Sequence, residues 1–289
     1  MPGGVSRRAF LGSCAAAAGA LAAGAAARGA PPAATPSGRL KQSVCRWTLP
    51  GSLPEVCGRV KGLGLEGIDL LYPDEWAVAR EAGLVCSMGY ASRRTNLIEN
   101  GFNDPQLHAL LIGELAAALP LAAEAGVPNL IAMFGNRRGR SDAEGIANCV
   151  AGLSRVAPLA QRHGVTVCVE LLNSKVDHPD YQGDHTAFGA AVIERVGSPH
   201  VKLLYDIYHM QIMEGDVIRT IGAHRQWIAH YHTGGVPGRH EIDATQELNY
   251  HAIAAAIADG GFQGFLAHEF RATGEPYAAL AQAQQICRV

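Results

Sequence analysis

From residue 38 onward, short apolar runs alternate with longer stretches whose apolar positions recur every three or four residues. The short runs fit strands buried on both faces, and the longer stretches fit amphipathic helices. Strands are predicted over 43–48, 67–71, 84–88, 129–134, 165–171, 201–205, 227–232 and 264–269. Helices are predicted over 54–63, 74–82, 105–125 and 142–163, then one reaching about 196, one near 246–258 and one ending about 286. Gly126 and Gly164 stop the third and fourth helices, and Asp243 or Thr245 is the expected cap of the helix near 246. Eight strands in about 250 residues, all but the sixth followed by a predicted helix, predict an α/β fold, a (β/α)8 TIM barrel forming one domain over 38–289. An open doubly wound sheet would need a glycine-rich phosphate loop after the first strand. Thr48-Leu49-Pro50-Gly51-Ser52 is not one.

The last four strands share a feature. Each delivers one metal-ligand type at its C-terminal end: Glu170, Asp206, His232 and Glu269. A buried strand holds an ionised carboxylate only when something compensates its desolvation, and a cation is the usual compensation. In a parallel barrel these four ends meet on one face, where barrel enzymes keep their sites. A strand-end glutamate alone is ordinarily a rim residue. His232 alone, with His230 two positions earlier on the same strand face, reads as a core histidine. Four in succession read as a site. Two glutamates, an aspartate and a histidine suit a hard divalent metal ion, Mg²⁺ or Mn²⁺ first, with Co²⁺ or Zn²⁺ compatible. Such an ion chelates adjacent carbonyl and hydroxyl oxygens and acidifies the neighbouring C–H. Glu170 and Glu269 then serve as the catalytic pair, one removing a proton and the other returning it through a cis-enediolate.

Other residues read more quietly. Trp47, Trp76 and Trp227 are expected in the core or a pocket wall. Lys175 and His178 lie in a polar loop that covers the site or meets another subunit. Arg137, Arg138 and Arg140 form a small basic loop whose default state is solvation. The seven cysteines show no Cys-x-x-Cys spacing and read as small buried hydrophobes. Apolar content of 48% with 17% charged residues describes a globular chain, and a net charge of −2 leaves no basic surplus to hold a polyanion, so nucleic acid is not expected.

Residues 1–37 read as a signal peptide and linker. Ser6-Arg7-Arg8-Ala9-Phe10-Leu11 resembles a twin-arginine export signal, followed by an Ala/Gly-rich run and a Pro/Ala-rich linker. That run is too weakly hydrophobic for a permanent membrane span. Export to the periplasm or beyond is therefore expected.

Three segments together carry a family resemblance: Glu170 through His178, Tyr205-Asp206-Ile207-Tyr208-His209-Met210-Gln211, and Gly235-Val236-Pro237-Gly238-Arg239-His240-Glu241. They resemble the hydroxypyruvate isomerases, within the xylose isomerase-like barrels of the sugar phosphate isomerase/epimerase superfamily. The resemblance implies a metal-dependent isomerase with Glu170, Asp206, His232 and Glu269 as metal ligands and both glutamates as acid and base. It also implies that His209 and Arg239 bind oxygens of a small hydroxy-carbonyl or sugar substrate. Hydroxypyruvate isomerases often carry glutamine where this chain has His232, while keto-sugar 3-epimerases carry histidine. Epimerisation of a keto-sugar or 3-keto-glycoside is therefore the alternative. An abasic-site endonuclease of the same barrel would need further zinc ligands and a basic groove. A non-catalytic sugar- or metal-binding barrel would not need two opposed carboxylates. A homo-oligomer is compatible with the sequence.

Overall fold

The computed structural model describes residues 38–94 and 98–289. The expected signal and linker, 1–37, lie outside the described residues. Eight parallel strands form the sheet: β1 (Lys41–Val44), β2 (Gly67–Leu71), β3 (Val85–Gly89), β4 (Asn129–Met133), β5 (Thr166–Leu171), β6 (Val201–Asp206), β7 (Ile228–Thr233) and β8 (Phe265–His268). Their order is β1-β8-β7-β6-β5-β4-β3-β2, and a parallel bridge between Cys45 and Asp69 joins β1 to β2. This is the expected TIM barrel. The strands are almost wholly buried because barrel side chains fill one face and ring helices cover the other.

The helices are α1 (Leu53–Gly62), α2 (Trp76–Glu81), α3 (His108–Ala125), α4 (Asp142–His163), α5 (Thr186–Val196), α6 (Ile207–Met213), α7 (Val217–His224), α8 (Tyr250–Asp259) and α9 (Pro276–Ile286). Gly126 and Gly164 end α3 and α4 in the left-handed region, at φ 75° and 65°. A side chain there would be strained. Together with the short turn before it, α3 is long and apolar enough to cross a bilayer by length and composition. Here it is a ring helix, burying Leu111, Leu115, Leu119 and Ala122 against α4 and β4.

Two boundaries differ from expectation. The first strand ends at Val44, and Arg46–Thr48 form a 3₁₀ turn. Thr48 closes that turn by giving both its N–H and its hydroxyl to Cys45 O, at 3.1 and 2.9 Å. The helix expected from 246 begins at Tyr250, and its cap is Asn249, whose side chain accepts from Ala252 N–H at 3.1 Å. Asp243 instead binds Thr245 N–H at 2.8 Å in a local turn, and Gln246 Oε1 accepts from Leu248 N–H at 2.7 Å. These short side-chain bonds compete with helix formation and delay its start.

Candidate active site

The C-terminal ends of β5 to β8 gather the four expected ligands. Glu170 is the penultimate residue of β5, and Asp206 is the last residue of β6. His232 stands in β7, and Glu269 follows β8 directly. One oxygen or nitrogen from each lies within 4.8 Å of the others, and all four residues are buried. His232 Nδ1 stands 2.8 Å from Glu269 Oε2 and 3.4 Å from Glu170 Oε1.

Asp206 serves two elements at once. Its backbone is extended, so β6 runs straight into α6 with Asp206 as the cap, its Oδ1 accepting from His209 N–H at 3.1 Å. Its Oδ2 accepts from Arg239 Nη2 at 3.2 Å, and the same nitrogen donates to Glu269 Oε2. Burial, followed by Glu269 and Glu170, outweighs Arg239 and pushes the Asp206 carboxyl up to about 7. Burial also acts against ionised Glu269, yet Arg239, His232 and the Trp47 hydrogen bond hold it well below the usual carboxylate range. Burial opposes charge on His232, but Cys45, Glu269 and Asp69 beside it raise it well above an ordinary histidine. Three carboxylates thus draw positive charge from a guanidinium and an imidazole ring.

The residues fit a divalent cation. His232 Nε2 faces Asp69 Oδ2 at 3.2 Å, while Nδ1 makes no well-directed hydrogen bond and points among the carboxylates. A ring that donates from one nitrogen to a carboxylate and turns the other to hard oxygen ligands has the arrangement of a metal-bound histidine. Binding such an ion displaces protons from its ligands.

Both residues expected at the substrate lie here. Arg239 reaches Asp206 and Glu269, and its guanidinium carbon is 5.4 Å from the Tyr208 ring and 5.6 Å from the Trp47 ring. His209 Nδ1 accepts from Asn173 N–H at 3.1 Å, so the neutral ring carries its proton on Nε2. Among the described residues that Nε2 has no hydrogen-bond partner, and it stands 3.6 Å from Asp206 Oδ2, a buried donor beside the clustered carboxylates. Burial first, then Arg239 and His178, keeps His209 well below the ordinary histidine range. The His178 ring is 5.3 Å from that of His209, whereas Lys175 turns away to the carbonyls of Ile212 and Met213 at 3.0 and 3.1 Å. The basic loop is ion-paired locally: Arg137 pairs with Asp142, and Arg138 and Arg140 share Asp104.

Two site residues were not foreseen in these roles. Trp47, expected in the core or a wall, is 43% exposed and donates its indole N–H to Glu269 Oε1 at 2.8 Å. Asp69 is fully buried in β2, between His230 and His232. A carboxylate inside an apolar strand run was the available signal, the same one that marked Asp206.

The chain matches the xylose isomerase-like TIM barrel family over residues 61–288. A 2-oxo-tetronate isomerase from Cupriavidus necator is 30% identical over 217 residues, which cover 72% of this chain and 83% of that protein. A Danio rerio protein carrying a provisional hydroxypyruvate isomerase name is 30% identical over 131 residues, 45% of this chain and only 48% of that protein. Among solved structures, one titled AP endonuclease, family 2, from Brucella melitensis superposes with a TM-score of 0.75 at 23% identity, covering 84% of this chain and 98% of the other. That identity carries the fold alone. With its barrel order and this match through most of the described residues, the chain belongs to the xylose isomerase-like TIM barrel family.

Proposed function

We propose that this chain is a metal-dependent isomerase of small hydroxy-carbonyl compounds, hydroxypyruvate isomerase-like. The observation that carries the reading is the buried quartet Glu170, Asp206, His232 and Glu269, with ligand atoms within 4.8 Å of one another. Those residues would hold a divalent ion, Mg²⁺ or Mn²⁺ by the hardness of the donors. When bound, the ion supplies charge stabilisation for a developing oxyanion.

The chain's own residues do the rest. One of Glu170 and Glu269 takes the proton from the carbon between carbonyl and hydroxyl, and the C–H electron pair moves into the carbonyl to give a cis-enediolate. The other, entering the step protonated, returns a proton to the neighbouring carbon while the substrate's hydroxyl proton passes to the former carbonyl oxygen, which completes the isomerisation. Returning it to the original carbon from the opposite face would epimerise instead, and the same two carboxylates allow both outcomes. His209 Nε2–H is a fixed donor for a substrate oxygen, and Arg239 is the cation available to a substrate carboxylate or hydroxyl. The names of the two relatives above favour isomerisation.

The test uses purified chain, stripped by chelator and reloaded with Mg²⁺ or Mn²⁺, against hydroxypyruvate, a 2-oxo-tetronate and a ketose panel. Reloading should restore turnover. Glu170→Gln and Glu269→Gln should each lose about 10² to 10⁴ in rate even at saturating metal, because an amide cannot move the proton. Full activity in the metal-free protein would refute the metal-dependent reading.

A further inference from the structure

We propose that Asp69 is the positioning residue for His232, holding the proton on Nε2 so that the Nδ1 lone pair faces Glu170, Asp206 and Glu269. The inference rests on reading that quartet as a cation site. Asp69 has no exposed surface and sits among donors from three other strands. Its Oδ1 accepts from Ser43 Oγ at 2.9 Å and from Ser87 Oγ. Its Oδ2 faces His230 Nε2 at 2.6 Å and His232 Nε2 at 3.2 Å. An ionised carboxylate has no proton to give, so each ring must present N–H to it. The other neighbour of His232 Nε2 is Cys45 Sγ at 3.8 Å, a weak partner at that distance.

The backbone is shaped for this placement. Pairing between β2 and β3 runs Ile68 to Cys86, then Asp69 to Met88, then Leu71 to Gly89, so Ser87 and Leu70 are both skipped. Leu70 takes φ 63°, the left-handed region that leucine rarely adopts. A bulge with a strained residue re-aims side chains, and such devices concentrate beside active sites. Here the irregular pair brings the Ser87 hydroxyl and the Asp69 carboxylate together inside the barrel.

The consequence for the site is specific. With its proton on Nδ1, His232 would turn an N–H instead of a lone pair toward Glu269 Oε2, 2.8 Å away, and the quartet would lose its nitrogen donor. Both a ligand nitrogen and a ligand oxygen would be compromised. Asp69 disfavours that tautomer from the opposite side of the ring.

Titration calorimetry of the full chain with Mn²⁺, on wild type, Asp69→Asn and Ser87→Ala, tests the idea. Asp69→Asn should bind Mn²⁺ about 10- to 100-fold more weakly, the usual effect of removing an outer carboxylate partner. Ser87→Ala loses a hydrogen bond to the same carboxylate but none to Oδ2. It should melt earlier and keep its Mn²⁺ affinity within about twofold, a split that a merely structural role for Asp69 would not produce. Nitrogen NMR of histidine-labelled wild type loaded with Mg²⁺ should show His232 protonated at Nε2 alone, a readout that needs no variant to fold. Folded Asp69→Asn binding Mn²⁺ as wild type does, or a wild-type His232 proton on Nδ1, would overturn the proposal while leaving the quartet in place. Wild type that binds no Mn²⁺ would overturn both readings.

Discussion

Three elements meet at the Glu269 side chain. Trp47 reaches it from the turn after β1, His232 from β7 and Arg239 from the loop beyond β7. Trp47→Phe keeps the ring and deletes one hydrogen bond to a charged group, worth about 1.5 to 3 kcal/mol. It should lower kcat/KM by about tenfold or more while Mn²⁺ content, read by elemental analysis, stays at one per chain. His268, one residue earlier, shows the other fate of a buried histidine. Burial lowers it to about 3, and its neutral ring bonds Thr233 Oγ1 at 3.1 Å and Gln42 Oε1 at 2.9 Å. The unfolded chain binds that proton near pH 6.5, so between about 6.5 and 3 the unfolded state holds more protons. Stability from this group is therefore complete above pH 6.5 and is lost as pH falls toward 3, by up to about 1.4 kcal/mol per pH unit. Denaturant titrations should show a shallower slope between pH 6 and 4.5 in His268→Gln than in wild type. An unchanged slope would assign the acid sensitivity elsewhere.

Among the elements, what could be read from the chain depended on how local the signal was. Apolar runs and their order carried the barrel, and strand-end chemistry carried the quartet, because parallel topology turns sequence order into one shared face. Asp69 escaped because its meaning lies in Ser43, Ser87 and His230 on three other strands. No spacing along the chain encodes that meeting. Arg239 was reached through resemblance, since the Gly235–His240 loop says little by itself about where a guanidinium will turn. The start of α8 was misplaced because Asp243, Thr245 and Asn249 are all capping types, and only the folded loop decides among them. Asn249→Ala should cost about 1 kcal/mol in denaturant titration, the typical worth of an N-cap, while Thr245→Ala should stay within about 0.5 kcal/mol. The reverse ranking would return the cap to the earlier position.

At the scale of the whole molecule, the proposed activity is joined to a proposed destination. The Arg7-Arg8 pair ahead of an Ala-rich run motivates export of the folded chain. Replacing both arginines with lysine should leave the precursor in the cytoplasm, as fractionation and blotting would show; unchanged export would reject the twin-arginine route. In the proposed reaction Glu170 and Glu269 move protons as well as holding charge. The most direct test of that role is the conversion of the accepted substrate in deuterium oxide by the Mn²⁺- or Mg²⁺-loaded chain, with the product read by NMR. Proton transfer through carboxylates that exchange with solvent predicts deuterium at the carbon that receives the proton. Product that keeps all of the substrate's hydrogen and carries no solvent label would contradict the account, because it would require the hydrogen to pass directly between the two carbons.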